Sequence, residues 1–106
     1  MAGEVTVELN EFAVVSSTTT FTVGETYTFV ATNTGEFPHE MLIEVAGDRG
    51  IPLVDADGRE AAIERIDGGL SGTLEWTFTE PGTYQLTCHL RDHYAHGMAV
   101  TITVVA

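Results

Sequence analysis

Gly82-Thr83-Tyr84-Gln85-Leu86-Thr87-Cys88-His89-Leu90-Arg91-Asp92-His93-Tyr94-Ala95-His96-Gly97-Met98-Ala99-Val100-Thr101-Ile102-Thr103-Val104 reads as strand, loop and strand. In the first arm Tyr84 and Leu86 alternate with polar neighbours, the period of a half-buried strand. The second arm, Ala99 to Val104, is rich in β-branched residues and again alternates. Between them Cys88, His93 and Met98 follow one another at intervals of five. Gly97 precedes Met98, where the backbone has to turn tightly to bring the thioether back toward the thiol.

Outward from this stretch the chain keeps the same grammar. Val5, Val7 and Leu9 alternate with Thr6 and Glu8, and a break at Asn10-Glu11 leads on to Phe12, Val14 and Val15. Phe21-Thr22-Val23 runs to the turn signal Gly24-Glu25. Tyr27, Phe29 and Ala31 form another alternating run, closed by Asn33-Thr34-Gly35-Glu36. His39 starts the next strand and shares the parity of Met41, Ile43 and Val45. Residues 46–72 interrupt the pattern with glycines and aspartates. Within them Asp57 to Ile66 predicts a short helix, with Ala62, Ile63 and Ile66 on one face and Gly68 as its stop. Leu74, Trp76 and Phe78 then give the clearest alternation in the chain. Short strands separated by regular turn signals predict an all-β sandwich in a single domain, residues 1–106.

Composition narrows the function. The formal net charge is −12, and the four basic residues are all Arg (Arg49, Arg59, Arg65 and Arg91). Without clustered cations the chain is not expected to bind nucleic acid. The acids are dispersed, which favours a solvated surface over a dedicated docking patch, although the charge would steer cationic partners. Cys88 is the single cysteine, so no internal disulfide can form, and a binuclear centre bridged by two thiolates is excluded. No membrane span is expected. The opening Met1-Ala2-Gly3, followed directly by a strand pattern, suggests a trimmed chain whose export signal or anchor has been lost.

Taken singly, Cys88 reads as an inert buried thiol, His39 as a hydrogen-bonded imidazole and Met98 as core packing. Taken together, two His, one Cys and one Met are a ligand set for a mononuclear copper ion. Soft sulfur selects copper, imidazole serves both of its oxidation states, and a weak axial thioether suits Cu(I) and Cu(II) almost equally. The expected ligands are His39, Cys88 and His93 in the trigonal plane and Met98 on the axis. A Cys–His nucleophilic pair is the rival chemistry, but a thiol at the end of an inner strand is poorly placed for substrate.

These residues, with the lead-in Glu80-Pro81-Gly82-Thr83-Tyr84, resemble the cupredoxins, the family of plastocyanin, azurin and pseudoazurin. The likeness covers essentially the whole chain. It implies a Greek-key β-sandwich of about eight strands and a blue-copper electron-transfer protein, not an enzyme. It also implies a monomer outside the cytoplasm, periplasmic or on the outer face of a membrane, that meets a cytochrome, oxidase or reductase transiently. Electrons would pass through the edge of His93, framed by Pro38, Leu90, Tyr94, Ala95 and Gly97. Cys88-His89 also resembles the blue-copper loop of multicopper oxidases, but Thr87 replaces the His expected before Cys88, and no His-x-His pair exists. Arg91-Asp92 stands where many cupredoxins carry Pro-Gly. Alternatives are a copper-binding or copper-resistance module, a domain excised from a larger oxidase or reductase, and a metal-free interaction domain. His89 is expected at the surface and His96 beside His93; Met41 and Trp76 are expected in the core.

Overall fold

The computed structural model of the chain describes residues 3–90, 93 and 97–106. Among them are nine strands and no helix. They are β1 (Glu4–Asn10), β2 (Ala13–Ser16), β3 (Thr20–Thr22), β4 (Thr26–Asn33), β5 (His39–Val45), β6 (Ala62–Ile66), β7 (Ser71–Thr77), β8 (Gly82–Thr87) and β9 (Ala99–Val105). Two sheets carry them, a four-stranded one in the order β2-β1-β4-β7 and a five-stranded one in the order β3-β9-β8-β5-β6. β1 runs parallel to β4 and β3 parallel to β9, while the remaining pairs are antiparallel. The expected all-β sandwich is therefore present.

The sheets enclose the alternating apolar residues. Val5, Val7, Leu9, Phe29, Ala31, Leu74 and Trp76 come from the four-stranded sheet, and Met41, Ile43, Leu86, Ile102 and Val104 from the five-stranded sheet, all buried. At one end Phe21 makes an edge contact with Tyr27, their ring centroids 4.8 Å apart, and packs on Phe29 and Phe78. Such pairs add to the stabilisation already supplied by burial of their area. At the other end lie the start of β5 and the loop between β8 and β9.

The expected helix over 57–66 does not form. Its second half is β6, paired antiparallel to β5 with His39 opposite Ile66 and Leu42 opposite Ala62. A helix of that length has little stability of its own, whereas the open edge of β5 offers a row of backbone groups in need of partners. The turn before β6 is held by Asp55, whose Oδ1 accepts hydrogen bonds from the backbone N–H groups of Asp57 and Arg59. β6 is thus the ninth strand, beyond the eight expected.

Candidate metal centre

His39, Cys88 and His93 come together, each buried. Nδ1 of His39 lies 3.1 Å from Nδ1 of His93, and Cys88 Sγ lies 3.8 Å from the first and 3.4 Å from the second. A triangle of that size is what an ion bonded at about 2.0 Å to nitrogen and 2.3 Å to sulfur would span. Two protonated nitrogens could not face each other so closely, so at least one lone pair points into the triangle.

Each corner has a local cause. β8 is central in its sheet and delivers Cys88 just past its last residue. The loop then closes on itself through three backbone bonds: His93 N–H to Leu90 O at 3.0 Å, Met98 N–H to His93 O at 3.1 Å, and Cys88 N–H to Met98 O at 3.1 Å. Gly97 has φ of +105°, a conformation that L side chains rarely adopt, which meets the tight turn expected there. Met98 follows it, fully buried and tied by these bonds to both Cys88 and His93.

His39 is delivered by a second device. Asn33, buried at the end of β4, ties the loop leading to β5 to the end of β6. Its Nδ2 donates to Phe37 O at 2.7 Å and Ile66 O at 2.8 Å, and its Oδ1 accepts from Gly35 N–H at 2.8 Å. The sequence marks Asn33-Thr34-Gly35 only as a turn; the contact with β6 is what makes the asparagine a clamp. The Glu11 carboxylate meets the same loop, and its Oε2 lies 2.8 Å from His39 Nε2. Nothing in the sequence around Glu11 marks it as more than a strand break.

Sulfur electrostatics complete the site. Burial pushes the Cys88 thiol above its ordinary value of 9.0, against the pull of the Glu40 and Leu90 backbone N–H groups. The Glu40 N–H lies 3.3 Å from Sγ. In the metal-free protein the thiol therefore keeps its proton, and a bound cation supplies what makes the thiolate favourable.

His89 departs from expectation. Rather than standing free at the surface, its Nε2 lies 2.8 Å from the Oε2 of Glu44, which is fully buried. Gln85 Nε2 donates to the other oxygen of Glu44 at 2.8 Å, and the Gly50 N–H donates to Oε2 at 2.8 Å. The backbone N–H of His89 donates to Glu40 Oε2. Met41 and Trp76 are core residues, as expected. His96, Arg91-Asp92, Tyr94 and Ala95 lie outside the described residues.

Residues 1–105 match the model of the copper binding proteins, plastocyanin/azurin family. The chain belongs to that family. This cupredoxin binds copper, and the two imidazoles and buried thiol fit the ion. It superposes on dithionite-reduced auracyanin from the photosynthetic bacterium Roseiflexus castenholzii with a TM-score of 0.72 at 27% identity, over 98% of this chain and 96% of that one. Auracyanin B gives a TM-score of 0.76 at 21% identity over 99% and 90% of the two chains, a likeness of fold. A curated relative, the copper-resistant cuproprotein CopI of Rubrivivax gelatinosus, is 29% identical over 96 residues. That match takes in 83% of this chain but only 57% of the relative's length.

Proposed function

We propose that this cupredoxin is a one-electron carrier whose copper is held by His39, Cys88, His93 and Met98. The observation that carries the reading is the preformed, closed donor set: three ligand atoms 3.1–3.8 Å apart, all on residues with little or no exposure. Bound copper supplies a Cu(II)/Cu(I) couple. The residues do the rest. Donors already packed in place leave little to rearrange when charge changes, and burial keeps substrates and water from Sγ, which argues against an enzyme. Met98, buried and tied to His93 by a backbone bond, would supply the fourth, thioether donor.

His93 is the exit for the electron. The residue is 5% exposed, and its ring lies between Phe12, at a centroid distance of 5.1 Å, and Phe37, at 6.5 Å. Both phenylalanines are exposed, so the loops before β2 and β5 give the His93 ring an apolar frame. An apolar rim around a redox edge suits brief docking of a cytochrome, oxidase or reductase. The reading places residues 1–106 as one monomeric domain on the outer side of the membrane, the family's usual setting.

The likeness to a copper-resistant cuproprotein favours a second reading, copper buffering. Voltammetry in the presence of a Cu(I) chelator separates the two. A carrier gives a reversible one-electron wave, exchanges electrons rapidly with a redox partner and retains its copper. Ready surrender of Cu(I) to the chelator, with sluggish electron exchange, would replace the carrier reading with the buffering one.

A further inference from the structure

Glu11 is not a donor to the site, yet its carboxylate binds the ligand His39 and the loop that delivers it. It stands in the turn between β1 and β2, 28 residues from His39. One carboxylate oxygen, Oε1, accepts the Glu36 N–H at 2.6 Å and the Phe37 N–H at 3.3 Å. The other, Oε2, faces His39 Nε2 at 2.8 Å. An ionised carboxylate has no proton to give, so the hydrogen of this bond sits on Nε2. The lone pair of the neutral ring is then on Nδ1, the atom that faces His93 and Cys88. Gly35 makes room for the arrangement, because a Cβ there would collide with the Glu11 side chain. The Glu36 N–H first, and then the His39 ring, hold the Glu11 carboxyl below its ordinary range.

We propose that Glu11 is a positioning residue for His39: it selects the Nε2–H tautomer, aims Nδ1 at the metal, and adds a negative charge that favours Cu(II). The proposal rests on His39 being a copper ligand. A carboxylate partner raises the basicity of a ligating imidazole as well as orienting it. That charge acts through one ring on the ion, so its removal should favour Cu(I) over Cu(II) by about tenfold, equivalent to about 59 mV for one electron.

The test is the reduction potential of copper-loaded Glu11→Gln, with His39→Ala as a control on the underlying assignment. Glu11→Gln should keep the thiolate-to-copper absorption band while its potential rises by the amount given. An unchanged potential would overturn the proposal. If His39→Ala keeps the wild-type band, the ligand assignment fails; if that band is lost while Glu11→Gln leaves the potential in place, only the role of Glu11 fails. Should Glu11→Gln not fold, nitrogen NMR of the wild-type Cu(I) protein decides. His39 is expected as the Nε2–H tautomer with a strongly deshielded proton, and a ring lacking that proton overturns the proposal.

Discussion

The two sheets solve different problems. In the four-stranded sheet burial alternates almost residue by residue: Val5, Val7 and Leu9 of β1 are buried between exposed neighbours, and Leu74 and Trp76 of β7 flank an exposed Glu75. In the five-stranded sheet the alternation fails where the site is built. Met41 to Glu44 of β5 and Tyr84 to Thr87 of β8 are buried without interruption. One face of these strands packs the core and presents His39 and Cys88. The other carries Glu44 opposite Gln85 and Leu42 opposite Thr87, with Gly50 and His89 closing over Glu44. A sheet buried on both faces holds His39 and Cys88 more firmly, and it makes the hydrogen bonds of its buried polar groups count for more.

One substitution made on each outer face tests this contrast most strongly. Glu44→Ala removes the buried carboxylate that the Gly50 N–H, Gln85 and His89 share and should cost roughly 3 kcal/mol in urea unfolding. Glu75→Ala, on the solvated face of β7, should stay within about 0.5 kcal/mol. Similar losses at the two positions would mean that the sheets do not differ in the way described.

Next in size is a pH effect confined to the metal-bearing sheet. Burial raises the Cys88 pKa above 9.0 in the folded protein, so the native state holds this proton more tightly than the unfolded chain. The contribution to apo stability is fully present below the ordinary thiol value of 9.0 and is lost as pH rises through the folded one. Copper must displace the same proton, so apparent affinity should rise about tenfold per pH unit across the neutral range. A chelator competition assay from pH 6 to 8 measures the slope, and a flat profile would place a thiolate in the apo site.

Two glycines sharpen the comparison further. Gly24 has φ of +87° and Gly97 φ of +105°, so Ala at either position should cost about 1 kcal/mol. Only Gly97→Ala should also shift the visible spectrum and weaken copper binding, because Gly97 leads into Met98. Equal spectra in the two variants would detach that turn from the site. The smallest effect is expected at Thr87, whose buried hydroxyl has no partner among the described residues. Thr87→Val should leave thermal stability unchanged or slightly raised, and a clear loss would reveal a bond to that hydroxyl.

What could be read from the sequence follows the same division. Alternation such as Leu74-Glu75-Trp76 is a local signal, and it yields the strands and the sandwich directly. The spacing of Cys88, His93 and Met98 is local too, and the structure brings Cys88 and His93 together with the distant His39. The 46–72 connection was not, because an apolar run such as Ala62-Ile63 suits a helix face or a strand edge, and the open edge of β5 decides between them. Glu11, Asn33 and the Glu44–His89 pair act across 25 or more residues of chain, so a linear reading could only register them as turn or surface residues. His89 in particular points away from the thiol, as its parity required, but the connection over β5 and β8 encloses what would otherwise be an exposed side chain.

The central claim is that Cys88, with two imidazoles beside it, binds copper through a thiolate in a closed trigonal set. Titration of Cu(II) into the apo protein, followed by visible absorption, tests it directly. An intense charge-transfer band should grow to saturation at one equivalent and be absent from Cys88→Ser, which keeps the apo fold. Wild-type protein that binds Cu(II) and stays colourless, or Cys88→Ser that still turns blue, would contradict the account.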